Sequence, residues 1–326
     1  MSLNHRRDYN RRIRAWLLKV GAFAARLDKK RLTRRPCPVC GSHSSRPFAH
    51  NGALGYERCG KCALVFMNPT FRPGTLERGF AGEDALLREY FRLMVRYKAA
   101  PLPGRIDPRT DGKLKDLYRF RRSGRLLDVG CSVGDFLYKA KPFYAVEGVE
   151  INPRTAAVAA KNFTVHRGTL DQLNLPPVYD IVTLHKILYG VPDPVGLLRD
   201  IAGVLKPGGL LYVNTPNADS LAMRLFGGQC NHLYGYTAQQ VFGRRAFEML
   251  AAKAGFKIVS YRTEWLDIYL PDVVEFLSRP ERFLHKRNSH LPGYEEAVRE
   301  EDALHARQKL DLGDGGNYLV AVLRRR

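Results

Sequence analysis

The chain predicts a doubly wound α/β sheet preceded by a small metal-held module. Three observations carry that expectation. Strand-like and helix-like segments alternate from Arg125 onward; a buried strand breaks into a turn of small residues at Leu126–Leu137, LLDVGCSVGDFL; and two tight cysteine pairs, Cys37/Cys40 and Cys59/Cys62, lie upstream. Alternation of strand and helix implies parallel strands joined by crossover helices. With 326 residues, 45% of them hydrophobic, the chain has material for a sizeable core, and a disordered or collagenous polymer is excluded.

The elements follow in order. Residues 8–27 space Ile13, Trp16, Leu17, Val20, Ala24 and Leu27 as on one helix face, with arginines and lysines mostly elsewhere, a basic amphipathic helix. Residues 36–69 are rich in turn formers. A helix is expected over 75–100, a Pro-rich linker at 101–108, and a short helix over 113–122. Then come the strand RLLDVG and its helix, the strand YAVEGVE, a helix over 153–161, the strand FTVHRG and the strand YDIVTL. A helix over 195–205, the strand LLYVNT, a helix over 238–254 and a strand over 256–263 complete the series. The expected division is a basic tail at 1–35, a cysteine module at 36–70, a helical linker at 71–122, and the α/β domain at 123–326. That domain includes a mostly helical insertion at 264–312 and a final strand at 317–323.

Net charge is +21, and residues 1–35 hold twelve Lys/Arg against two Asp, leaving +11 for the other 291 residues. The basic excess is partly a property of the tail, which suits anionic lipid, nucleic acid or plain solvation. No run of about 18 apolar residues exists to span a membrane. Asp8, Asp28, Arg14 and Lys19 disfavour a targeting segment. A cytoplasmic protein is expected, and the helix over 8–27 either adsorbs to the inner face of an anionic membrane or packs on the protein itself.

The spacing Cys37-x2-Cys40, eighteen residues, Cys59-x2-Cys62 matches two knuckles donating four thiolates to tetrahedral zinc. Four protein ligands close the shell, so the metal is expected to be structural. An iron–sulfur site or a lost metal is the alternative. Loss of the metal is expected to melt the module and spare the α/β domain. Cys131 and Cys230 have no partner at ligand spacing.

In the glycine turn, small residues let backbone approach a ligand closely. Twenty positions after Gly130 the next strand ends in Glu150, whose carboxylate can grip two ribose hydroxyls. A nicotinamide fingerprint would need glycine at positions 132 and 135, where Ser132 and Asp135 stand, and no Lys-Ser/Thr pair makes a P-loop. The pattern favours S-adenosylmethionine. Residues 125–264 resemble a class I S-adenosylmethionine-dependent methyltransferase through LLDVGCSVGDFL, GVEIN, GTLDQL, YDIVTLHKILYGVPDP and LKPGGLLYVNTPN, in that order. Residues 36–69 resemble the zinc ribbon that precedes some bacterial small-molecule methyltransferases.

The resemblance implies a Rossmann-like fold in which Asp128, Gly130, Ser132 and Gly134 surround the methionine part of the cofactor. It further implies that Glu150 takes the ribose, that Leu170 and Asp171 meet adenine, and that His185 lines the pocket near the methyl group. Ser132 stands where relatives often have glycine, and Tyr189-Gly190 where many carry Glu-His, so the catalytic base is unassigned. His185, Tyr189 and His232, with Tyr234 and Tyr236, are candidates by location. The expected activity is methyl transfer to a small acceptor such as a sugar, a glycolipid intermediate or a secondary metabolite. Its rivals are an RNA methyltransferase and a cofactor-binding protein without turnover. The presumed mouth at 217–240 holds one basic residue, Arg224, among aromatics, which suits a mostly neutral acceptor. Oligomeric state is open.

Overall fold

A computed structural model describes residues 3–51, 54–98, 107–108, 111–227, 230–264 and 316–326. The expected insertion at 264–312 falls, apart from Glu264, outside the described residues. The main sheet has seven strands: β6 (Arg125–Val129), β7 (Ala145–Glu150), β8 (Thr164–Arg167), β9 (Tyr179–His185), β10 (Leu205–Pro216), β12 (Phe256–Glu264) and β13 (Tyr318–Arg325). Their order is β12-β13-β10-β9-β6-β7-β8. β6, β7, β8, β9 and β10 run parallel, whereas β13 runs antiparallel between β10 and β12. This is the Rossmann-like doubly wound arrangement that the sequence predicts.

Central strands of such a sheet are covered on both faces and read as continuous apolar runs. β9 (YDIVTLH) is buried from Tyr179 through Leu184. The crossover helices are punctuated as the sequence suggests. α6 (Pro153–Ala159) is capped by Asn152, whose side chain accepts from the amides of Arg154 and Thr155, and α7 (Pro194–Val204) by Asp193, which accepts from Gly196. Each has proline at its first turn, where the missing N–H costs nothing. α5 (Asp135–Ala140) and α9 (Arg244–Lys253) complete the flanking layers.

The expected helix over 75–100 is two. α2 (Thr75–Arg78) gives way to a wide turn at Gly79–Glu83, where Gly82 has φ 110°, and α3 runs Ala85–Lys98. Asp84 restarts the helix by accepting from the amide of Leu87 at 3.0 Å. α4 covers Lys115–Phe120 and α8 Leu221–Phe226. The expected helix over 238–254 begins only at Arg244, because Gln240–Val241 forms a strand, β11.

β11 joins the cysteine module. It pairs with β4 (Val65–Met67), which pairs with β3 (Leu54–Cys59), which pairs with β2 (Ser45–Asn51), giving one four-stranded antiparallel sheet. A second link is the buried Tyr56, whose hydroxyl donates to the carbonyl of Ala238 at 2.6 Å and accepts from the amide of Gly235 at 3.0 Å. Arg35 donates to the carbonyl of Pro192 at 2.7 Å. Cys37, Val39, Leu64 and Phe66 share one apolar core with Leu188, Leu198 and Phe242. The module is therefore part of the domain's own core. The expectation that metal loss would spare the α/β domain does not survive this geometry, since the domain supplies one of the four strands. β1 (Leu32–Thr33) and β5 (Thr70–Phe71) form a small separate pair.

The N-terminal helix, α1, spans Leu3–Arg26. Its apolar face turns inward: Trp16, Val20 and Ala24 are buried with Leu54, Tyr56 and Leu87. The indole of Trp16 donates to the carbonyl of Leu86 at 2.8 Å and packs on Tyr90 with 5.0 Å between ring centroids, while Lys19 pairs with Glu89 at 2.7 Å. The face expected to meet either a membrane or the protein thus covers α3. Among the described residues no helix is long and apolar enough to cross a membrane. Truncating a buried Trp costs about 3–5 kcal/mol. Trp16→Ala is accordingly expected to release α1, seen as lost amide protection over residues 3–26 in hydrogen exchange; retained protection would mean that the helix is held elsewhere.

Candidate active site

The site is built on the ends of β6, β7 and β9, where open parallel sheets leave a crevice. β6 stops at Gly130, whose φ of 80° begins a turn that alternates left-handed residues, Ser132 at 52° and Gly134 at 82°. Glycine adopts this conformation freely; Ser132 does so at a cost, a pattern that collects at functional sites. The amides of Gly130 and Cys131 both donate to the carbonyl of Val149, at 2.8 and 3.0 Å, tying the turn to β7. Cys131 fills the space over Gly148, where a Cβ would stand 2.5 Å from its sulfur. That cysteine is a packing residue.

Glu150, at the end of β7, accepts from the amide of Ser132 at 2.8 Å through Oε2 and from that of Asn152 at 2.7 Å through Oε1. A carboxylate has about four acceptor positions, so capacity remains for a ligand's hydroxyls. Burial pushes the Glu150 carboxyl up from its ordinary value. Two buried polar atoms here have no protein partner: Ser132 Oγ and His185 Nε2. Orphaned groups of this kind ask for a ligand or water, and with the glycine turn they fit S-adenosylmethionine. His185 lies between Phe136 and Tyr212, with centroids 4.2 and 5.1 Å away, and burial holds its imidazole well below the usual range, so it is neutral. Leu170 is buried in the core and Asp171 is exposed beside it.

Asp128 is buried, accepts from the Thr183 hydroxyl at 2.7 Å, and is pushed up to about 7, chiefly by desolvation. An unfolded aspartate titrates near 4. Between those values the native state keeps a proton that the unfolded state has lost, so raising the pH favours unfolding. The stability of ligand-free native protein minus that of Asp128→Asn is therefore expected to fall from about pH 4 to about pH 7 in urea titrations. A flat difference would refute the shift.

Later in the chain than His185, tyrosines come together. The hydroxyls of Tyr189 and Tyr234 meet at 3.2 Å, and Tyr234 meets Thr237 Oγ1 at 2.8 Å. Burial raises both phenols above their usual range, so neither is an ionised base at neutral pH. His232 is held otherwise: its Nε2 lies 3.1 Å from the carbonyl of Asn317, its ring is edge-on to Tyr318, and burial lowers it to about 3. Tyr236 packs against Phe23 and Phe71. Sequence reasoning missed the contribution of α1 and α3. Trp16 bridges Tyr90 and Tyr234, and Asn152 donates to the carbonyl of Phe80 at 2.8 Å, joining the α2–α3 turn to the cofactor side. The available signal was the run of aromatics in 80–97, which periodicity alone assigns to core.

The four sulfurs of Cys37, Cys40, Cys59 and Cys62 lie within 4.8 Å of one another. Gly41 (φ 76°) and Ala63 (φ 63°), each just after the second cysteine of its pair, turn the two knuckles alike. Such a donor set fits tetrahedral zinc.

Residues 106–261 match the family model of a methyltransferase domain. This part of the chain is a methyltransferase domain. The chain also aligns in part with ubiquinone biosynthesis O-methyltransferases from Sodalis glossinidius and Aeromonas salmonicida. The first is 32% identical over 120 residues, 32% of this chain and 48% of that protein; the second is 29% identical over 117 residues, 32% and 49%. The chain thus spans about half the length of these curated relatives. Among solved structures, phosphoethanolamine N-methyltransferase 2 of Haemonchus contortus superposes with a TM-score of 0.48 at 18% identity, covering 80% of this chain and 62% of that one. A Mesorhizobium loti S-adenosylmethionine-dependent methyltransferase gives 0.43 at 19% identity, with 67% and 100% covered.

Proposed function

We propose that the protein transfers a methyl group from S-adenosylmethionine to an oxygen of a small, ring-bearing acceptor. The observation that carries this reading is the pairing of the left-handed Gly130–Gly134 turn with Glu150, together with the orphaned Ser132 Oγ and His185 Nε2 beside them. The O-methylating relatives support an oxygen acceptor, and the aromatic cluster of Tyr189, Tyr234, Trp16 and Tyr90 supports a ring.

When bound, the cofactor supplies an already activated methyl group. The protein's task is alignment and exclusion of water, and orientation of this kind is worth on the order of 7–11 kcal/mol. In this reading Glu150 grips the ribose, Ser132 and His185 bond the cofactor, and Asp128 holds the turn's end through Thr183. Neutral His185 can accept an acceptor proton if the bound geometry brings it within reach. The cysteine module, as a structural zinc ribbon, braces the wall that carries Tyr234.

Labelled S-adenosylmethionine offered with catechol-type phenols, sugars and total RNA tests this. The expected result is label in the phenols. Salt-sensitive label in RNA alone would favour the nucleic-acid reading instead.

A further inference from the structure

With its apolar face committed to α3, α1 turns a second face to solvent. The exposed positions Arg11, Ala15, Leu18, Ala22 and Arg26 recur at three- and four-residue steps, on the side of the helix away from the buried Trp16, Val20 and Ala24. The result is a small apolar patch with an arginine at each end. Leu18, 60% exposed, is the one large apolar side chain left in solvent among the described residues. On α3, the exposed Arg88, Arg92 and Arg96 recur at four-residue steps on the side away from Leu87, Met94 and Tyr97. The two stripes adjoin along the pair of Lys19 with Glu89. Asp8 answers Arg11 and Arg12, and Glu89 answers Lys19. Arg88 donates to the neutral carbonyls of Gly82 and Glu83, and Arg26, Arg92 and Arg96 form no ion pair among the described residues, so most of the stripe's charge is uncompensated.

A helix layer that sets arginines around an exposed leucine is complementary to an anionic bilayer, whose phosphates meet the cations while an apolar side chain enters between headgroups. Nucleic acid phosphates would also meet the arginines, but binding of exposed bases needs rings to stack on. Here Trp16 and Tyr97 are buried, while Ala15, Leu18 and Ala22 offer neither ring nor donor. We propose that the outer face of the α1–α3 layer docks the protein on an anionic phospholipid surface, with Leu18 in the headgroup region and Arg26, Arg92 and Arg96 on lipid phosphates. The inner side of the same layer meets the candidate site: the ring of Trp16 lies 6.4 Å from that of Tyr234, and Asn152 donates to the carbonyl of Phe80 just before α3. Docking therefore sets the aromatic cluster one helix diameter, about 10 Å, from lipid. The inference goes beyond the methyl-transfer reading and does not depend on it.

The test sediments the full chain with vesicles of phosphatidylcholine alone and of phosphatidylcholine mixed with phosphatidylglycerol. Binding is expected to the mixed vesicles, to be reversible, and to weaken as salt rises. Joint replacement of Arg26, Arg92 and Arg96 by Gln should lower the partition coefficient about a hundredfold, at about fivefold per charge. Leu18→Gln, at an exposed position, should lower it about tenfold while leaving the unfolding temperature unchanged. The control removes three charges from the opposite end of the main sheet, Lys253, Lys257 and Arg324, and should retain most of the binding. No binding to the mixed vesicles, equal binding to neutral ones, binding indifferent to Leu18→Gln and the arginine replacements, or a loss matched by the control overturns the proposal. So does a single-stranded RNA oligonucleotide that displaces the vesicles and binds Leu18→Gln as well as it binds native protein, because the face then serves nucleic acid.

Discussion

Replacing Glu150 with alanine is expected to weaken S-adenosylhomocysteine binding by about 1–3 kcal/mol, roughly 5- to 150-fold in Kd. Two effects add. The variant would lose the proposed charge-assisted bonds to the ribose, and it leaves the amides of Ser132 and Asn152 without their carboxylate acceptor. The first amide belongs to the glycine turn, so the loss is also expected to loosen that turn. Glu150→Gln should not rescue the site. One carboxylate oxygen becomes an NH2 donor facing an N–H donor, whichever way the amide is turned. Calorimetry on both variants checks this, and unchanged affinity in Glu150→Ala would remove Glu150 from the cofactor's partners.

Loss of the metal is expected to do more damage than a ribbon standing apart would suffer. Structural zinc in small finger domains contributes about 10–16 kcal/mol of apparent binding free energy to folding. Here β11 is hydrogen-bonded to β4, Met67 donates to the carbonyl of Gln239 at 2.7 Å, and the Tyr56 hydroxyl spans Gly235 and Ala238. Cys59→Ser should therefore abolish zinc binding and expose amides at 234–241 as well as within the ribbon. Because Tyr234 carries the hydroxyl that meets Tyr189, acceptor turnover should fall too. Elemental analysis of the native protein should find one zinc per chain. Zinc-free native protein, or undisturbed exchange at 234–241 in the variant, would contradict this account.

The doubly wound sheet was legible because its signals are local. β9 is a continuous apolar run, α6 and α7 begin with Asn-Pro and Asp-Pro, and the small-residue turn breaks a buried strand. The cysteine spacing was legible for the same reason, since each knuckle closes within a few residues. What was hidden depends on partners far along the chain. Gln240 and Val241 are a strand only because Phe66 and Val65 offer them an edge, and periodicity read them as the start of a helix. Trp16 and Leu17 looked equally suited to lipid or protein; the carbonyl of Leu86 and the ring of Tyr90, 70 or more residues away, decide for protein.

The central claim is that the turn after β6 and Glu150 form a working S-adenosylmethionine site. Titrating the native full-length protein with S-adenosylhomocysteine in a calorimeter tests it most directly. One equivalent per chain, with a matching rise in unfolding temperature, is the result predicted; no heat and no stabilisation at saturating ligand would contradict it.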